Sequence, residues 1–113
     1  MSEETVRSII ATATHRQFVC GVLARCQAAC ALTTAVWKES RAERSLDRLV
    51  KLVETVESGA NRTGALAQSV ELLAPGSALA TAARTEAESA NHCSLDARLL
   101  FKRRCEHLGV GHA

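Results

Sequence analysis

Between Ser2 and Gly59 the chain contains no proline and a single glycine, Gly21, and the next interruptions are Gly59, Gly64 and Pro75 followed by Gly76. Nothing comparable recurs until Gly109. Glycine and proline are the residues that most often end regular structure, so this spacing permits long helices joined by few turns. No stretch alternates apolar and polar residues for long enough to predict a strand. The pattern predicts an all-α chain, a small helical bundle or long helical hairpin of about four helices, forming a single domain over residues 1–113.

The first helix is expected to start near Glu3, with Ser2 as N-cap and Glu3 and Glu4 in the turn where the helix dipole favours negative charge. Farther along, one apolar stripe runs through Phe18, Val22, Ala29, Leu32 and Val36, interrupted by Arg25. A second runs through Val19, Leu23, Cys26, Cys30 and Trp37. A row of small residues, Gly21, Ala24, Ala28, Ala31 and Ala35, lies on the other flank, and Val6 and Ile10 extend it backwards in phase. A helix apolar around most of its circumference is expected to be central, touched on several sides.

Ser40 and Glu43 have the form of a capping box, which places a break near Glu39 and Ser40, although one helix running on to Ser58 is also permitted. The next apolar set is Leu46, Leu49, Val50, Val53 and Val56, with an outer face that pairs Asp47 and Lys51 at i,i+4. Gly59 is expected to end that segment. A short third helix over residues 63–74 stops at Pro75, because the residue before proline is pushed out of helical geometry. Ser77 caps a fourth, which could run unbroken to Gly109 or break at the polar residues 91–94. The first and fourth helices are expected to pack antiparallel.

Composition decides between a self-sufficient globule and one that seeks partners. Apolar residues are 47% and charged residues 23%, which is the composition of an ordered chain. Much of the apolar share is alanine, while aromatics are confined to Phe18, Trp37 and Phe101. Alanine favours helix but buries little area, so the monomer should be marginal and gain burial from another protein chain, as a homo- or hetero-oligomer. The candidate interface residues are Val6, Ile9, Ile10, Trp37, Leu46, Leu49, Val53 and Val56. Trp37 could also be simply the end of a core stripe. This points to an interaction module, a coiled-coil-like subunit or adaptor of a larger assembly.

The remaining chemistry is sparse. A formal net charge of +2 gives no strong pull towards nucleic acid or anionic membrane. The one basic cluster, Lys102, Arg103 and Arg104 with Arg98 before it, lacks interleaved aromatics, and nucleic-acid binding is the weaker reading. The acidic start does not resemble a secretory signal, so the five cysteines are expected to be free thiols in a reducing, cytoplasmic compartment. Cys26 and Cys30 at i,i+4, with Cys105, could hold a soft metal, but cysteine replacing alanine on a packed face is the plainer reading and no cofactor is expected. Residues 18–37 are apolar enough to resemble a membrane span, yet Arg25 at the centre would cost about 2.5–3.5 kcal/mol, so none is expected. Arg25 either extends its head to solvent or pairs with Glu86. Among the histidines, His15 reads as a core residue, and Glu88 with His92 reads as a surface pair; His107 and His112 complete the set. No nucleophile elbow, phosphate loop or catalytic carboxylate pair is present, so an enzyme is not expected.

Overall fold

A computed structural model describes residues 1–109 of the chain. They form three helices, α1 (Glu3–Ala42), α2 (Leu46–Leu73) and α3 (Ala78–His107), with no strand among the described residues. The all-α class is as expected; the number of helices is one fewer. All three helices touch one another in a rod of 74 × 19 × 18 Å.

The helix starts follow local chemistry. Ser2 Oγ accepts from the Thr5 amide at 3.2 Å, and Ser77 Oγ accepts from the Ala80 amide at 3.1 Å. Pro75 and Gly76 make the α2–α3 turn, where Gly76 adopts φ 70°, a left-handed conformation that glycine tolerates without steric cost. The expected break at Ser40 falls elsewhere. Ser40 is fully buried inside α1, and its hydroxyl donates to the Val36 carbonyl at 2.8 Å. The chain leaves helical geometry at Glu43, and Ser45 is the N-cap of α2.

Gly59 does not end a helix. It lies within α2, where a Cβ would collide with Thr33 Oγ1 of α1. The two separate helices expected either side of it are therefore one continuous helix: the glycine is there for a close approach between helices. Residues 91–94 do not break α3 either, since Cys93 and Ser94 turn inward and are buried.

Losing one helix from the count reverses a direction. In an up-down-up trio α1 and α3 run parallel, and the contacts agree: Cys26 meets Ala83 near one end, while Arg104 meets Arg41 and Glu43 at the other. The antiparallel pairing expected for the first and last helices is thus corrected.

The buried positions recur with heptad spacing. In α1 they include Val19, Cys26, Thr33 and Ser40, in α2 Leu49, Val56, Thr63 and Val70, and in α3 Ala83, Ala90 and Ala97. A seven-residue apolar repeat keeps one seam facing its neighbours when helices wind slightly left-handed about one another. This seam takes the second apolar stripe of α1 into the core. Of the first stripe, Val22 and Ala29 are buried as well, while Phe18 and Leu32 are left 60% and 69% exposed.

Two apolar clusters result. One joins Val19, Val22, Leu23 and Cys26 to Ala67, Val70, Ala80 and Ala83. The other joins Leu49, Val53 and Val56 to Cys93 and Ala97, with Trp37 and Phe101 packed against it. Between them lies a waist of small groups, where Thr33 and Thr63 donate to the carbonyls of Ala29 and Gly59 at 2.8 and 2.7 Å. These bonds satisfy buried hydroxyls within their own helices, so the waist closes without stranded polar groups.

Candidate functional site

Two side chains finish the ends of neighbouring helices, and both came out of sequence reading in other roles. The last turn of α2 has no basic residue of its own. His15 of α1 supplies the partner: its Nε2 lies 2.9 Å from the Leu73 carbonyl, donating in the tautomer that carries hydrogen there. His15 is exposed, not a core residue. At the opposite end Arg104 donates through Nη1 to the Glu43 carbonyl at 2.6 Å and through Nη2 to the Arg41 carbonyl at 3.3 Å. A cation at a helix C-terminus meets unpaired carbonyls and the negative end of the dipole, so this contact is structural.

That placement bears on the basic cluster. Arg104 is engaged by backbone, and Arg98 Nε is 2.7 Å from Glu57 Oε1. Two of its four cations are therefore already committed within the chain. Lys102 and Arg103 are exposed.

The thiols are dispersed. Cys20 is exposed, and the other four cysteines are buried and free. Cys26 Sγ donates weakly to the carbonyls of Thr63 at 3.5 Å and Ala83 at 3.8 Å. Burial first, then the nearby Glu86 carboxylate and the neighbouring Cys30, push the Cys26 thiol above its ordinary value of 9.0. Cys30 is raised likewise, by burial and then by the nearby Glu86 carboxylate, against a smaller opposing pull from Ser89 and Thr34. Such groups stay protonated and are poor nucleophiles and metal ligands. Cys105 lies along α3 from Ala83, which marks the level of Cys26, by about 33 Å at ~1.5 Å per residue. No group of three His, Cys, Asp or Glu suited to a metal ion occurs among the described residues. His112 lies outside the described residues.

Glu86 faces the thiols, not Arg25. Arg25 instead sits at a groove of about 370 Å³ between α1 and α2, with Arg62 across from it and Leu32, Val36 and Gly59 among the lining residues. The parallel run of α1 and α3 accounts for this, because it carries Glu86 past Arg25 to the level of Cys30. Among the described residues the ion pairs are Arg7 with Glu3, Arg84 with Glu71, and Arg98 with Glu57; neither Asp47 with Lys51 nor Glu88 with His92 forms one.

The candidate interface residues divide into three groups. Leu49, Val53 and Val56 belong to the chain's own core and are 0%, 6% and 0% exposed. The break at residues 43–45 resets the helical phase, and this set turns inward. Trp37 and Leu46 are half-buried against the same cluster. Val6, Ile9 and Ile10 are exposed on an arm of α1 that rises beyond the α2–α3 turn. With His15 at the level of Leu73, residues 3–14 project as roughly 18 Å of helix with no covering element.

The face that continues this arm is the least expected feature. On a helical wheel of about 100° per residue, Val6, Ile10, Ala13, Gln17, Gly21, Ala24, Ala28, Ala31 and Ala35 all lie opposite the core seam. Every one is exposed. The strip holds no charged side chain over about 44 Å, and α2 and α3 cover only the opposite side of α1. An outward helix face is normally charged, as those of α2 and α3 are with Arg48, Lys51, Glu54, Arg84, Glu88 and Asp96. The small-residue row is visible in sequence, where it reads as one of several faces of a central helix touched on more than one side. Leu95 and Leu99 form a smaller exposed pair on α3.

By length and composition α1 could cross a membrane, a property it shares with core helices of water-soluble bundles. No family model matches the chain, and neither a curated protein nor a solved structure resembles it.

Proposed function

We propose that this chain is a non-catalytic interaction subunit or adaptor of an intracellular, cytoplasmic assembly, engaging another polypeptide through the outward face of α1. The observation that carries the reading is the charge-free strip from Val6 to Ala35, exposed along its whole length on a helix whose other side is packed. Small residues let a second backbone approach closely, and the exposed Ile9, Ile10, Phe18 and Leu32 add apolar area beside them. Such a strip fits a helical partner better than a lipid phase, since Arg25 lies at its flank near the middle of α1. The four buried thiols and their lack of disulfides fit a reducing compartment.

The test is purification of the tagged chain from its native cells in reducing buffer, with the mass of the eluted species measured by light scattering. Wild-type chain is expected to elute in a complex, and Ala28→Arg, which places a charge on the strip at an exposed position on the rim of the α1–α2 groove, is expected to release it with helicity unchanged. A wild-type chain that elutes as a partner-free monomer refutes the reading.

A further inference from the structure

We infer that the outward face of α1 pairs with the same face of a second copy of this chain, the two helices running antiparallel and centred near Cys20 and Gly21. The inference rests on the interaction reading above and specifies its partner.

Shape gives the first reason. The strip tapers, with Val6 and Ile10 at one end and only alanines at the other. In an antiparallel pair Val6 lies opposite Ala35 of the second copy, Ile10 opposite Ala31 and Ala13 opposite Ala28. The two end levels then each combine one larger and one smaller side chain, the inner levels pair small residues, and the two ends of the pair are spaced alike. A parallel pair would set Ile10 on Ile10 and alanine on alanine, forcing the helices apart at one end and opening voids at the other.

Charge gives the second. The arm carries Glu3, Glu4 and Arg7, the last paired with Glu3 at 2.8 Å, for a net charge of −1, whereas the far end of α1 carries Lys38, Glu39 and Arg41, for a net charge of +1. Antiparallel pairing brings these unlike ends together and opposes the two helix dipoles, while parallel pairing stacks acidic turn on acidic turn.

Area gives the third. A strip about 44 Å long and 10–12 Å wide offers roughly 450–500 Å² from each copy, or about 900–1,000 Å² in all. That falls below the roughly 1,200 Å² of stable specific interfaces and in the range of weak pairs that dissociate on dilution. The same pairing lays the projecting arm of each copy, with its exposed Val6 and Ile10, along residues 28–38 of the other.

The experiment is sedimentation equilibrium of the full chain in reducing buffer from about 1 to 200 µM, the range an interface of this size calls for. The mass is expected to rise from 12.1 kDa towards twice that value. Ala28→Arg on the strip and Ile10→Glu on the arm should each weaken dimerisation by at least ~10-fold with helicity unchanged. Ile10 lies outside the three-helix contact, so its variant cannot fail by unfolding the bundle.

Orientation is read by disulfide trapping. Ile10→Cys and Ala31→Cys, each combined with Cys20→Ser, are mixed under copper-phenanthroline and air. Two thiols pass two electrons and two protons to dioxygen for each bond formed. Antiparallel pairing yields a bond between the two variants; bonds only within each variant overturn the orientation. A monomer at 200 µM, or a dimer indifferent to both substitutions, overturns the self-pairing. If the chain is monomeric alone yet leaves native cells in an Ala28-sensitive complex, only the self-pairing falls. If it is monomeric and partner-free, the interaction reading falls with it.

Discussion

Thr33 Oγ1 occupies the space that a side chain on Gly59 would need. Alanine at a helical glycine ordinarily contributes about 1 kcal/mol in propensity. Here the added methyl meets the hydroxyl of a fully packed threonine, and overfilling a packed site costs about 1–3 kcal/mol. Gly59→Ala should therefore destabilise, by about 1 kcal/mol net, in urea unfolding. Adding Thr33→Ala to it should restore part of the loss. A Gly59→Ala chain more stable than the parent would show that the two helices approach less closely than described.

Arg104 joins α3 to the end of α1 through two backbone carbonyls. Charge-assisted hydrogen bonds of this kind contribute about 1.5–3 kcal/mol. Arg104→Ala should lower stability by an amount in that range, whereas Arg103→Ala, at an exposed neighbour, should change it by less than about 0.5 kcal/mol. Arg104→Lys should recover only part of the loss, because an ammonium cannot span both carbonyls as the guanidinium fork does. Equal effects at positions 103 and 104 would assign the contact no stabilising role.

The raised Cys26 and Cys30 thiols set the alkaline limb of stability. A thiol whose folded value lies above its unfolded one binds its proton more tightly when folded. Its contribution is fully present below the ordinary value of 9.0 and is lost as pH climbs past it, where the unfolded chain ionises first. Stability measured by chemical denaturation should be level through neutral pH and fall above pH 9, more shallowly in Cys26→Ala. In native buffer near pH 8 one thiol, Cys20, should react promptly with an aromatic disulfide reagent, and the remaining four only on unfolding. Prompt reaction of all five would contradict the burial described.

Core and strip should separate cleanly by mutation. Leu49 is fully buried, so Leu49→Ala should cost about 2–5 kcal/mol. Leu32→Ala, at an exposed site, should change the stability of the isolated monomer by less than about 0.5 kcal/mol. Thermal unfolding at low micromolar concentration distinguishes the two, and a large loss at Leu32 would mean that this face is covered within the chain.

What could be read in sequence was what local chemistry decides. Ser2 and Ser77 cap helices because a serine hydroxyl satisfies an orphan amide wherever the chain starts to wind, and Pro75 with Gly76 turns because neither continues a helix. Gly59 and Ser40 were misleading for a shared reason. Each carries a local signal for an end, and each sits mid-helix because another part of the molecule uses it: Thr33 needs the gap at Gly59, and the Ser40 hydroxyl is satisfied by the Val36 carbonyl one turn back. Which members of the two stripes of α1 turn inward depends on a small difference in period. Helices that wind about one another hold a repeat of 3.5, which brings Val19 and Cys26 inward and leaves Phe18 and Leu32 on the flank. The direction of the last helix then followed from the helix count, and with it the fate of Arg25 and Glu86. Of the candidate interface residues, Val6, Ile9 and Ile10 stand exposed, whereas Leu49, Val53 and Val56 are carried inward by a three-residue link whose effect on phase has no signature in periodicity.

The notch at Gly59 also governs sliding. Seams built largely of alanine and valine present a nearly even rail, along which one helix can slip by a heptad at little cost. Thr33 engages α2 at Gly59, where no side chain stands in its way. A slip of seven residues would drive it against Leu52 or Leu66, so a single missing methyl fixes how the long rods are aligned.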